Sequence, residues 1–328
     1  MLPNGRPIGP HAALGTGMAK AVDRAAAIGA STIQVFTDNP TSWRRRPEPP
    51  LELPAFRARV EAHGLSPLAV HASYLVNLAG PDEDFFGRSC GLLAAEMHMA
   101  AAYGARFVNV HAGSHRGAGP DAGAEQLADG IRRVLEAVDA AEPFEGAADG
   151  VADRPVLVLE NGSGGGFGMG ATIDELRTID DAIDAAGVDR GRVGYCLDTA
   201  HLWGSGHAID DPAVVDEVIA AFDAALGLGR LRMVHVNDSR SELGSRTDRH
   251  EHIGAGLIGG PGLARFLTHP DLGHVAYFLE TPGMDEGYDV VNLGRALALA
   301  EGRPLEPLPP EAFELKSSRS RSAPASTG

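Results

Sequence analysis

Short, nearly unbroken apolar runs alternate along the chain with longer segments in which apolar residues recur every three to four positions. The runs are RPIGPH (6–11), STIQVF (31–36), PLAVHA (67–72), RFVNVHA (106–112), PVLVLEN (155–161), VGYCLD (193–198), RMVHVND (232–238) and VAYFLET (275–281). Runs of this length, rich in Val, Ile, Leu and Phe, predict strands buried on both faces, as in a parallel sheet. The segments between them predict helices. Leu127, Ile131, Val134, Leu135 and Val138 share one helical face. TIDE (172–175) reads as a capping box ahead of Leu176, Ile179 and Ile183. Asp211 followed by Pro212 predicts an N-cap and a proline in the first turn, ahead of Val215, Val218, Ile219 and Phe222.

Strand followed by helix, about eight times in 328 residues, predicts an α/β fold: a single closed (β/α)8 TIM barrel over residues 1–304. A doubly wound open sheet is the alternative, but no Rossmann fingerprint follows any of the runs. EPFEGAADGVADRP (142–155) reads as a flexible insertion between a helix and a strand. Residues 305–328, rich in Pro and then in Ser and Arg, with Lys316, Arg319 and Arg321, read as a disordered tail.

Composition changes this picture at few points. With 44% hydrophobic and 22% charged residues the chain reads as an ordinary globular protein. It holds no apolar stretch of about 18 residues, so no membrane helix is expected. The opening MLPNGRPIGPH lacks an apolar signal core; export is not expected, and a cytoplasmic location is. Two cysteines, Cys90 and Cys196, make no disulfide framework and read as half-buried thiols. The formal net charge of −16 argues, by itself, against a nucleic-acid partner, because phosphate binding rewards Lys and Arg. Bound divalent cations would reverse that charge locally.

The ends of the runs carry the chemistry. His71 ends the third, His111 the fourth, Glu160 the fifth and Asp198 the sixth, with His201 just beyond. His235 stands near the end of the seventh and Glu280 closes the eighth, while Asp248 and His250 lie in the loop after the seventh. Any one of these, taken alone, is best explained as a hydrogen-bonded core residue or an ion-pair partner. Together they place an imidazole or a carboxylate at the same end of six successive strands, the end where barrels of this kind build their sites. Such groups converging unpaired would be costly. Divalent cations remove the cost, and five His with four carboxylates suit Zn²⁺, Mn²⁺ or Fe²⁺ in a cluster of two or three ions, with Glu160 placed to bridge. Asp198 and His201, separated by the strand end, are expected to reach different ions. Cys196 alternates onto the same face as Asp198 but reads as core.

These segments resemble the endonuclease IV family of apurinic/apyrimidinic endonucleases. The likeness runs from IGPHAALGTGMAKAVDRAAAIGASTIQVFTDNPTSW to FLETPG, through VHASYLVNLA, NVHAGSHRGAG, LEN, CLDTAHLWGSG, VHVNDS and DRHEHIGAG. It implies three zinc ions per chain, with manganese an option at one site. His71, His111 and Glu160 resemble the ligands of the first; Glu160, Asp198, His235 and Glu280 those of the second; His201, Asp248 and His250 those of the third. It implies hydrolysis of the phosphodiester bond 5′ to an abasic site in double-stranded DNA, leaving a 3′-hydroxyl, together with removal of 3′ blocking groups. By the same resemblance Glu160 and Glu280 would take catalytic places, the first two ions would supply a hydroxide as the nucleophile towards phosphorus, and the third would neutralise charge on the departing oxygen. The damaged nucleotide is flipped into the mouth. Tyr74 and Leu75 match the residues that fill the gap in the duplex, and Asn39, Ser114 and Arg249 fall at DNA-contacting places. A monomer is the simplest expectation.

The chain departs from the family pattern at two points. Thr41 stands where a basic wedge residue is often found, with Arg44, Arg45 and Arg46 following Trp43. The loop after Glu160, NGSGGGFGMG, is unusually rich in glycine and is either a flexible phosphate loop or a long turn. It is no P-loop, since no Gly-Lys-Ser/Thr follows. Two rival readings carry less of the sequence. A metal-dependent sugar isomerase or epimerase on the same barrel needs only a set like Glu160, Asp198, His235 and Glu280, and leaves five ligand-type residues unexplained. A catalytically dead DNA-binding relative leaves the complete set unexplained.

Overall fold

Alternation along the strands sets the architecture. In a strand, residues two apart face the same way. Ala69 and His71, Val158 and Glu160, Cys196 and Asp198, and Met233 and His235 are such pairs, the lower member apolar and the upper a polar strand end, and Phe107 and His111, four apart, share a face in the same way. Ala69, Phe107, Val156, Val158, Cys196, Met233, Ala276 and Phe278 pack as one buried cluster, an apolar floor under the polar ends.

The structure, a computed structural model, describes residues 1–142, 144 and 154–315. Eight parallel strands form the sheet: β1 (Ile8–Pro10), β2 (Gln34–Val35), β3 (Ala69–His71), β4 (Phe107–His111), β5 (Val156–Glu160), β6 (Val193–Asp198), β7 (Leu231–His235) and, after a short ribbon of β8 (Asp238–Ser239) and β9 (His250–Glu251), β10 (Ala276–Leu279). Their order is β1-β10-β7-β6-β5-β4-β3-β2. A parallel bridge between His11 and Gln34 joins the two ends, and the Ala12 N–H donates to the Gln34 carbonyl at 2.7 Å, so the sheet closes into a TIM barrel. Around it run α1 (Met18–Ala27), α2 (Leu53–His63), α3 (Glu83–Tyr103), α4 (Pro120–Ala140), α5 (Ile173–Ala185), α6 (Thr199–Ser205), α7 (Pro212–Leu226), α8 (Gly259–Thr268) and α9 (Asp289–Ala300).

The helical stripes are buried as the periodicity requires. Leu127, Ile131, Val134, Leu135 and Val138 of α4 all face the sheet, and each such side chain contributes about 2 kcal/mol. Asp211 caps α7 by accepting from the Ala213 N–H at 2.8 Å. The cap of α5 differs by one residue from the expected box. Thr172 accepts from the Glu175 N–H at 3.2 Å, but Glu175 reaches back to the Ala171 N–H at 2.8 Å.

Two readings need correction. The seventh run does not continue through Asp238 as a barrel strand; the connection after it, which carries His250, forms a short ribbon. The Asp238 carboxylate accepts from the N–H groups of Ser239, Gly256 and Ile258, which draws this segment out of the barrel ladder and into the β8–β9 ribbon. Residues 305–315, read as the start of a disordered tail, pack back on the barrel. Ala312 and Leu315 are buried, and the Ala312 carbonyl lies 2.8 Å from His252 Nε2. The remainder of that tail (316–328) and most of the insertion at 142–155 lie outside the described residues.

Candidate metal centre

The strand ends converge as a network centred on Glu160, which is fully buried. Its Oε2 lies 3.6 Å from His71 Nε2 and 3.7 Å from His111 Nε2; its Oε1 lies 3.2 Å from His201 Nδ1 and 3.4 Å from His235 Nδ1. Glu280, one residue past β10, lies 3.3 Å from His235 Nδ1. In the β7–β10 region His250 Nε2 stands 3.6 Å from Asp198 and 3.0 Å from Asp248, and Asp248 is 3.4 Å from His201 Nε2.

These contacts resolve into three groups whose ligand atoms lie within 4.8 Å of one another: His71, His111 and Glu160; Glu160, Asp198, His235 and Glu280; and Asp198, His201 and His250. The first two coincide with the sets that the family resemblance implies. In the third, Asp198 stands with His201 and His250, so its carboxylate serves two groups and is not separated from His201 as the spacing had suggested. Asp248, half exposed on its loop, flanks this third group.

Four of the five imidazoles are held by a second hydrogen bond. His71 Nδ1 is 2.7 Å from the Ala72 carbonyl, His201 Nδ1 2.8 Å from that of Asn161, and His250 Nδ1 2.8 Å from that of Glu280. His235 Nε2 lies 3.1 Å from Gln34 Oε1. Pinning one nitrogen orients the ring and leaves the other for a ligand bond. The carboxylates are fixed likewise: Asn237 Nδ2 donates to Asp198 at 2.6 Å, Gln34 Nε2 to Glu280 at 2.6 Å, and Asn109 Nδ2 to Glu160. His11 Nδ1 lies 3.1 Å from Glu280. Gln34, Asn109, Asn237 and His11 escaped the sequence reading, which stopped at the acid and imidazole ends of six strands. Position at the end of the first run marked His11 alone; Gln34 opens β2 and had no such signal.

Burial opposes ionisation of Glu160 and Glu280, but the surrounding imidazoles outweigh it, chiefly His235, and hold both carboxyls well below their usual range. The converse holds for His71, His201, His235 and His250, whereas burial lowers His111. Burial disfavours the imidazolium of His201, yet Asp198 and Asp248 raise it well above the ordinary range; burial of His250 is outweighed by Asp248 and Asp198, which push it to about 10. Protons thus occupy the places that cations would take. The residues fit metal ions on a second count: Glu160 Oε1, His235 Nδ1 and His250 Nε2 are buried and make no hydrogen bond among the described residues. Cys196 is not one of the groups; burial pushes its thiol up to about 11, and it packs in the apolar floor.

The DNA-contacting candidates separate. Tyr74 is half exposed, its ring stacked 6.1 Å from His111, whereas Leu75 is half-buried against the core. Asn39 is exposed and accepts from Thr41; Ser114 accepts on Oγ from the Arg116 N–H; Arg249 is exposed beside Asp248. Of the three arginines after Trp43, Arg45 is bound to buried Glu96 at 2.8 Å and Arg46 pairs with Asp38 at 3.5 Å. Arg44 remains exposed.

A closed barrel with an imidazole-carboxylate mouth defines the class: the family model described as xylose isomerase-like TIM barrel matches residues 22–303. A probable endonuclease 4 from Methanoculleus marisnigri is 37% identical over 293 residues, covering 89% of this chain and 98% of that protein. The crystal structure of endonuclease IV from Thermus thermophilus superposes with a TM-score of 0.75 at 35% identity, covering 90% of this chain and 99% of that one. A 3-keto-D-glucoside 4-epimerase from E. coli shares the fold with a TM-score of 0.59 at 14% identity. The chain belongs to the endonuclease IV family of apurinic/apyrimidinic endonucleases.

Proposed function

We propose that this protein is a zinc-dependent DNA repair endonuclease that hydrolyses the phosphodiester bond 5′ to an abasic site in duplex DNA, leaves a 3′-hydroxyl, and also clears 3′ blocking groups. The observation that carries the reading is the convergence of three overlapping imidazole-carboxylate groups at one barrel mouth. His71, His111 and Glu160 would hold one ion; Glu160, Asp198, His235 and Glu280 a second; His201, His250 and Asp248, with Asp198 alongside, a third. Manganese is an option at one place. Bound divalent ions supply an acidified water and charge neutralisation at phosphate.

The residues of the chain do the rest. Glu160 and Glu280 keep their charge because the rings around them favour it, and so hold cations in register. Three divalent cations against four carboxylates leave the mouth positive in a protein of formal charge −16, which removes the electrostatic objection to a DNA substrate. Tyr74 and Leu75 would enter the stack at the lesion, where unstacking is cheapest. Asn39, Ser114 and Arg249 would meet the backbone. No helix among the described residues is long and apolar enough to cross a membrane; a monomer acting in the cytoplasm completes the reading.

A sugar epimerase would use Glu160, Asp198, His235 and Glu280 and leave the first and third groups without a purpose. The test is a duplex carrying one abasic analogue, incubated with zinc-loaded protein and with protein stripped by chelator. A nick 5′ to the analogue, dependent on metal and absent from undamaged duplex, is expected. No nick, with epimerisation of a ketose instead, would overturn the reading.

A further inference from the structure

Among the described residues, two besides glycine have positive φ: Arg116 at 51° and Arg246 at 57°. Side chains rarely tolerate this region, and residues held there cluster at ligand clamps. Arg116 follows His111 on the loop after β4, and Arg246 precedes Asp248 on the loop after β8. Both are exposed, and neither guanidinium has a hydrogen bond or ion pair among the described residues. Arg132, Arg190, Arg230, Arg265 and Arg303 are each ion-paired, whereas Arg44, Arg240 and Arg249 are, like these two, exposed without an ion pair among the described residues. A protein this acidic leaves these two cations uncommitted beside its metal groups.

Between them stands the glycine-rich loop after β5, and it is braced on both sides. The Met169 N–H donates to the Gly113 carbonyl at 3.0 Å and the His115 N–H to the Phe167 carbonyl at 3.1 Å. A Cβ on Gly165 would sit 2.8 Å from the Arg246 carbonyl, so only glycine allows that approach. The loop is thus held against the loops on either side, and it presents Phe167 to solvent with 55% of its surface exposed, the ring 5.3 Å from that of His115. A cleft of about 550 Å³ runs beside it, lined in part by His115, Gly164, Gly166 and Arg246.

We propose that Arg116, Phe167 and Arg246 form a second DNA-contacting lip of the mouth, in which the two arginines each take a backbone phosphate and the phenyl ring packs on a nucleotide beside the lesion. Charge complementarity and continuity with the metal groups select the occupant: an aromatic between two uncommitted cations suits a polyanion with flat faces. The proposal rests on DNA being the substrate.

The test uses the zinc-loaded full chain and fluorescent duplexes bearing a tetrahydrofuran abasic analogue, with affinity measured across salt from ~50 to ~200 mM. Each of Arg116→Gln and Arg246→Gln is expected to lower the slope of log affinity against log salt by about 0.9, and the double variant by about twice that. Arg116→Lys and Arg246→Lys should keep the slope, as charge is what matters. Phe167→Ala should weaken binding about tenfold with the slope unchanged. Arg303→Gln, at the far end of α9, serves as the control and should behave as wild type. Unchanged slopes in both glutamine variants, or slopes lost equally in the lysine variants, overturn the lip while wild type still binds. If wild type itself fails to bind abasic duplex, it is the assignment of DNA as substrate that falls.

Discussion

Glu160→Gln isolates the role of the central carboxylate. Glu160 is fully buried and stands within 3.7 Å of four imidazole nitrogens, two on each oxygen. It is common to two of the three groups. The amide preserves shape but removes one charge and turns an N–H₂ towards rings whose free nitrogens must accept a cation. Opposite unit charges about 4 Å apart are worth about 4 kcal/mol at an effective dielectric of 20. That corresponds to roughly a thousandfold in affinity for an ion held there. The variant should therefore lose zinc on dialysis that wild type retains. It should nick abasic duplex about a thousandfold more slowly or worse, and gain less in melting temperature from added zinc. Asp180→Asn is the comparison. Asp180 is equally buried but is held by Arg190, Arg230 and the Tyr195 hydroxyl at 2.8 Å. Its loss should cost about 3 kcal/mol of stability, the lower end for breaking a buried pair because Arg190 is partly solvated, and leave zinc content unchanged. Metal content is read by elemental analysis, activity by a gel of the nicked strand, and stability by denaturant titration. A Glu160→Gln protein that keeps its full zinc complement and cleaves at the wild-type rate would refute the bridging role.

Two further outcomes follow from the same geometry. In chelator, the raised imidazoles stabilise the fold fully below their ordinary value of 6.5 and lose that contribution as pH climbs through about 10 for His250, while Glu160 and Glu280 contribute above their ordinary 4.5 and lose it in acid. Metal-free protein should melt highest near pH ~5–6 and progressively lower towards pH ~10, whereas zinc affinity should rise with pH because each ion displaces protons; a metal-free melting temperature that climbs from neutral into alkaline pH would contradict the shifts. Tyr74→Ala and Leu75→Ala should part company. The exposed tyrosine should cost about tenfold in abasic-duplex affinity with little change in stability, and the half-buried leucine about 1–2 kcal/mol of stability as well; a Tyr74→Ala protein that is destabilised but binds normally would mark the ring as rim packing.

The eight strands were legible because each is a short apolar run and the period of two carries straight through to the polar residue at its end. Val158 and Glu160, or Met233 and His235, declare both the floor and the mouth in one pattern. Legibility stopped where the backbone is steered by polar side chains. Nothing in the apolar pattern of RMVHVND shows that the carboxylate of Asp238 will gather amides from beyond the ribbon, and a seventh strand read too long was the result. The same holds for residues 305–315, whose proline-rich composition hides a backbone carbonyl that meets His252.

The centre was legible to the depth of its charges and no further. Carboxylates and imidazoles announce themselves by residue type, since burying them unpaired is costly. Amides do not: Gln34, Asn109 and Asn237 are neutral, and their value lies in direction. Gln34 shows what this hides. Its amide nitrogen donates to Glu280 while its amide oxygen lies 3.1 Å from His235 Nε2, so one side chain from β2 sets the rotamers of two members of the same group. It also stands at the bridge to His11 that closes the barrel. Barrel closure and the pinning of the second group are therefore one feature, built where β1 and β2 meet. A sequence pattern can mark the ends of strands, but which two strands become neighbours across the seam, and hence which amide reaches which ligand, is decided only when the sheet closes.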